Sequence, residues 1–149
     1  MPNGDAALSS IANGGNDKNY IINITADSSI GGSYSGFGSV SGVKVSLRGE
    51  GKTLSCSGSG SLLSIGSGQT VILRCLALRS FDSVIIITVF VGGTFIMQSG
   101  EILGNASISE HNSGGYGVSV AVAGTFTMTM GKYQIIPSRG CMCTAAPST

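Results

Sequence analysis

Residues 91–105 read VGGTFIMQSGEILGN, and residues 122–131 read VAGTFTMTMG. Thr94, Phe95, Met97 and Gly100 return as Thr125, Phe126, Met128 and Gly131, each 31 positions later. Four matches at one displacement mark an internal repeat, the first thing to seek in a sequence. Within each copy β-branched and aromatic residues alternate, and nothing between the copies has a helical period. The pattern predicts a stack of strand-bearing windings rather than a globular sandwich.

Upstream the same grammar is looser. Short apolar strings at 20–25, 43–47, 62–65 and 71–73 are separated by Gly/Ser clusters such as SCSGSGS and IGSGQT. Each string has about the length of a strand, and each separator holds residues able to take positive φ. Alternation in Val118, Val120 and Val122, or in Phe95 and Met97, puts every second side chain on one face, which is the core.

In a parallel stack a winding cannot bury its inner face alone. The next winding satisfies its strand hydrogen bonds and sets like residue over like residue. Phe95 over Phe126 and Met97 over Met128 are the expected inner columns. A displacement of 31 exceeds a minimal winding, and the polar, Gly-rich residues 108–117, ISEHNSGGYG, are the expected outward loop. The run from Val84 to Val91, broken only by Thr88, is expected to be a buried strand. It is far below the roughly 20 residues that a membrane-spanning helix needs.

The string carried by Gly92, Gly93, Thr94, Phe95, Met97, Gly100, Ile102, Gly104 and Asn105 resembles the repeat of bacterial, notably spirochaete-type, surface proteins built from GGTFTM and GEISGN units. The stretch GVKVSLRGEGKTLSCSGSGSLLSIGSGQTVIL is similar to the lead-in of those proteins, so the likeness covers most of residues 8–131. It implies a right-handed parallel β-helix of pectin-lyase-like type, and an extracellular or cell-surface location.

The chain leaves the pattern after Gly131, where it reads KYQIIPSRGCMCTAAPST. With codons read one base earlier, KYQIIP can become Glu-Ile-Ser-Asp (or Asn)-Asn-Thr, and CMCTAAPS can become Val-Tyr-Val-Tyr-Gly-Gly-Thr-Phe. The hypothesis is that residues 132–149 are an out-of-frame reading of a lost repeat, which makes the chain a truncated relative and its C-x-C accidental. Coding DNA incompatible with that shifted frame would remove the idea. The segment FDSVIIIT at 81–88 is odd for the family in the same way.

Composition narrows the rest. The 149 residues include 24 Gly and 24 Ser, with 42% hydrophobic and only 10% charged. So much Gly and Ser disfavours a helical bundle, and the apolar fraction disfavours disorder. Eight basic and seven acidic side chains, scattered singly, give a net charge of +1. That is no electrostatic footprint for nucleic acid or an anionic membrane. The N-terminal MPNGDAALSSIANGG has neither a basic n-region nor the 7–15-residue apolar core of a secretory signal. Cys56, Cys75 and the pair Cys141 and Cys143 lack zinc spacing, and read as unpaired small apolar residues ahead of a disulfide or a metal site.

Each candidate for chemistry has a plainer reading. Residues 49–53, GEGKT, end like a phosphate-binding loop, but Ser46 stands where the first glycine belongs and no helix follows, so a turn between windings is expected. Ser41 and Lys44 have S-x-x-K spacing, which serves a helix, whereas a strand points them to opposite sides. A polysaccharide-active enzyme needs paired carboxylates, or carboxylates holding Ca²⁺ beside a base. Arg74, Arg79, Asp82, Glu101 and Glu110 are too sparse and read as surface charges. Thr125, Thr127 and Thr129 alternate as on an ice- or carbohydrate-binding face, yet position 96 is Ile against Thr127, so an ordinary outer face is expected. The sequons at Asn23 and Asn105 read as incidental, with Asn105 a turn residue, and His111 reads as a loop surface residue.

The expectation is therefore an all-β chain, a right-handed parallel β-helix (β-solenoid) of about five coils. Residues 1–18 form an N-terminal lead or cap, 19–131 the coils and 132–149 an irregular tail. The expected role is a non-catalytic structural or adhesive segment of a bacterial surface or secreted repeat protein, with no catalytic, cofactor-binding or metal residues. The alternatives are a polysaccharide-active β-helix enzyme fragment, or a truncated product without function of its own. Partners are a host surface or glycan, with no nucleic acid and no membrane span, and uncapped coil ends favour self-association.

Overall fold

The computed structural model describes residues 4–30, 36–56, 62–80, 85–105, 116–120, 123–130, 132–136 and 143–145. Expectations for Asp82, Glu110, His111, Cys141 and most of the 108–117 loop lie outside the described residues. In chain order the elements are α1 (Gly4–Ala12), β1 (Asn19–Asn23), β2 (Ser28–Ile30), β3 (Val43–Cys56), β4 (Leu63–Ile65), β5 (Gln69–Ser80) and β6 (Ile85–Val89). They continue with β7 (Thr94–Met97), β8 (Gly100–Asn105), β9 (Tyr116–Val120), β10 (Thr125–Met128), β11 (Lys132–Ile136) and β12 (Cys143–Ala145). The chain is mostly β, and nearly every pairing is parallel.

Register makes the architecture plain. Tyr20 pairs with Val45, Val45 with Val71, Val71 with Phe95 and Phe95 with Phe126. Two residues along, Ile22, Leu47, Leu73, Met97 and Met128 form a second file through the same five strands. Past a bend in the strands, Leu54, Leu78 and Ile102 form a third. Val45, Val71, Leu73, Leu78, Phe95, Met97 and Ile102 have no solvent exposure. The Phe95 and Phe126 rings stack with centroids 5.5 Å apart and planes 9° from parallel. Burying such a side chain contributes about 1.5–3 kcal/mol, so these files are the main source of stability.

A second, three-stranded sheet, β4-β6-β9, repeats the arrangement, with Leu63 against Ile87 and Ile65 against Val89. Ile86 and Ile87 are neighbours and both buried. Since neighbouring residues of a strand face opposite ways, both faces of this sheet are covered, which is why the run lacks polar alternation. The strand stops at Val89, however, and Phe90 and Val91 are exposed at the turn that follows.

The chain between paired strands differs in length without disturbing the files. Paired residues are 24 apart from β5 to β7 and from β4 to β6, but 31 apart from β7 to β10 and from β6 to β9. Gly100 shows how tightly β8 approaches β5: φ is +108° and an added Cβ would lie 2.3 Å from the Leu76 carbonyl oxygen. Only glycine tolerates that combination.

Four features depart from expectation. The lead contains a helix, α1, whose Leu8 and Ile11 are buried and which packs near β2. Their i, i+3 spacing gives that helix one apolar side. The described residues of the tail form two strands. β11 pairs parallel with β8, from Lys132 opposite Glu101 to Ile136 opposite Asn105, and β12 returns antiparallel along β11. Asn105 is a strand residue rather than a turn residue, and Tyr116 and Gly117 belong to β9.

Candidate functional site

A concavity lies where the long strands bend. Register slips between Arg48 and Lys52 of β3. Gly49, Glu50 and Gly51 there stand opposite Cys75 alone in β5, so the ladder opens and β3 bulges. Glu50 at φ 45° and Cys75 at φ 49° are held in the left-handed region without being glycine, a conformation costing about 1–2 kcal/mol per residue.

Amide groups freed at the bends are recovered by side chains one level away. Ser41 N–H donates to Asn16 Oδ1 at 3.0 Å, Thr53 N–H to Asp27 Oδ1 at 2.9 Å and Cys75 N–H to Ser99 Oγ at 3.0 Å. Gln69 plays the same part inside the core. Its Oε1 accepts from Gly66 N–H at 2.8 Å, while Nε2 donates to the Gly38 and Val40 carbonyls at 3.0 and 2.9 Å. Buried polar groups need such partners.

The resulting groove of about 290 Å³ is lined by Asn23, Ile24, Thr25, Arg48, Glu50, Arg74 and Cys75. Asn23, Arg48 and Arg74 are consecutive register partners on β1, β3 and β5, so the two guanidiniums leave strands about 4.8 Å apart. Arg74 Nε donates to Gln98 Oε1 on the next level. Among the described residues, Arg48 has no side-chain hydrogen bond or ion pair. A second concavity of about 380 Å³ is lined by Asp27, Ser28, Ser29, Thr53, Ser55 and Arg79.

These placements answer the sequence candidates one by one. GEGKT is a bulge inside β3, where the position of a Gly49 Cβ would fall 2.3 Å from the Leu76 side chain, so no phosphate-wrapping loop exists there. Ser41 precedes β3 and Lys44 lies within it, both exposed. Arg74 and Arg79 line different grooves, and Glu101 lines neither. Thr125, Thr127 and Thr129 are exposed, and Thr125 continues a file with Thr94 and Thr70. Thr70 escapes a search at 31 because its displacement from Thr94 is 24. Asn23 is exposed in β1 at the groove's rim. Cys75 is free and exposed at a bend, not an apolar core residue.

Arg48 was missed by the sequence reading, although a signal existed. Val-Ser-Leu-Arg at 45–48 recurs as Val-Ile-Leu-Arg at 71–74, and this shift of 26 is the β3–β5 register. Among the described residues, no His, Cys, Asp and Glu side chains group to hold a metal ion, and no helix is long and apolar enough to cross a membrane. Comparison of the chain with protein-family models, with curated proteins and with solved structures finds no match.

Proposed function

We propose that the chain is a right-handed parallel β-helix of about five coils, serving as a non-catalytic structural or adhesive segment of a bacterial surface or secreted repeat protein. The observation that carries the reading is the unbroken register file from Tyr20 to Phe126, closed by the Phe95–Phe126 ring stack at 5.5 Å. A scaffold of this kind spends its inward residues on stability and offers its outward residues as long, flat, regularly spaced contact faces. One such face carries Lys44, Thr70, Thr94 and Thr125 in one file and Arg48, Arg74 and Gln98 near another. Such rows suit an extended partner such as a host surface or a glycan. The resemblance of the GGTFIM and GEILGN strings to bacterial surface repeats supplies the location.

The test is protease treatment of intact source cells, followed by detection of this chain with an antibody to it. Loss of signal from intact cells at a protease dose that leaves a cytosolic marker whole is the expected result. Protection until the cells are lysed, with no chain in the medium, would overturn the surface reading.

A further inference from the structure

We propose that the groove at the strand bend is an oxyanion site, in which Arg48 and Arg74 together hold a phosphate or sulfate group. Three independent features meet there. The first is charge: Arg48 and Arg74 are register partners on adjacent strands, so two cations sit side by side on a fixed backbone. Like charges placed this way repel one another, and a bound anion relieves that repulsion. A tetrahedral oxyanion offers enough acceptors for both guanidinium forks at once.

The second feature is preparation. Arg74 is held by Gln98 through its Nε, which leaves its terminal nitrogens for a ligand, while the Arg48 guanidinium has no side-chain partner among the described residues. The third is shape. A groove of about 290 Å³ is walled by Asn23, Ile24, Thr25, Glu50 and Cys75 around the two arginines. Two of these wall residues, Glu50 and Cys75, keep φ values of 45° and 49° that non-glycine residues rarely hold. Such conformations concentrate at functional sites. Glu50 is the one carboxylate among the described wall residues, so it sets the edge of the anion's place and can accept from a hydroxyl on whatever carries the anion. The proposal needs only the parallel stacking of β3 on β5, and holds wherever the protein resides.

The experiment follows arginine Nε–H and backbone amide NMR signals of the full chain during titration with sodium phosphate, against sodium chloride at equal ionic strength. Saturable movement of the Arg48 and Arg74 Nε–H signals is expected with phosphate only. Arg48→Ala and Arg74→Ala should each weaken binding about tenfold, and Glu50→Gln should tighten it. Lys44→Ala, on the same face but outside the groove, should leave it unchanged. Methyl phosphate and methyl sulfate distinguish the sources. If they bind as well as inorganic phosphate, the site serves an esterified group, and if only the free ion binds it serves that ion, and either result supports the chemistry. Absence of a saturable response, weaker binding in Glu50→Gln, or an equal loss in Lys44→Ala would overturn the proposal. All of these side chains are exposed, so unchanged amide spectra elsewhere will verify that the variants fold.

Discussion

At the scale of single residues, the bends make opposite demands on glycine. Gly100 sits at φ +108° with the Leu76 carbonyl where a Cβ would go, whereas Glu50 occupies the left-handed region as an exposed residue of the groove wall. Gly100→Ala should therefore lower the unfolding free energy by about 2–4 kcal/mol, and Glu50→Gly should raise it by about 1 kcal/mol. Urea denaturation of both variants checks the pair, and a destabilised Glu50→Gly would show that the bend is not strained. Gln69 illustrates what was hidden in the sequence at this scale. It stands among Gly and Ser in what reads as an ordinary turn, and only the folded chain shows its amide bridging Gly66, Gly38 and Val40.

At the scale of elements, position within a file decides what a side chain contributes. Phe95 lies between Val71 and Phe126 and is fully buried, while Phe126 is partly buried at the end of its file. Phe95→Ala should cost about 3–5 kcal/mol and Phe126→Ala about half as much. Thermal or urea unfolding will rank them, and equal losses would contradict the stacking order. The β7 and β10 strands were legible because their repeat is nearly verbatim. The lengths of β3 and β5, 14 and 12 residues, were not. Gly49, Glu50 and Gly51 in one and Arg74 and Cys75 in the other interrupt the alternation, so each strand reads as two short pieces, yet the pairing resumes beyond the bend. The helix was overlooked because Gly and Ser dominate the composition, although Leu8 and Ile11 already had helical spacing. The strands of the tail were overlooked because their strings do not match the repeat, and backbone pairing with β8 does not require that they should. The groove was half legible: Arg74 stood out as a charge, and Arg48 emerges only once the register of β3 on β5 is known.

At the scale of the whole molecule, the two ends of the parallel sheet differ. At the first level α1 lays Leu8 and Ile11 into the core beside β2. At the last level β12 runs along β11, but among the described residues β10 pairs with β7 alone, and Met130 beyond it is 64% exposed. An open parallel edge of that kind recruits strands. Sedimentation over a wide concentration range should thus show a monomer–dimer equilibrium, shifted toward monomer by Met130→Lys, and a strictly monomeric chain at every concentration would remove the expectation. In a pair joined through β10, the α1 helices, each seated beside β2, would lie away from the join.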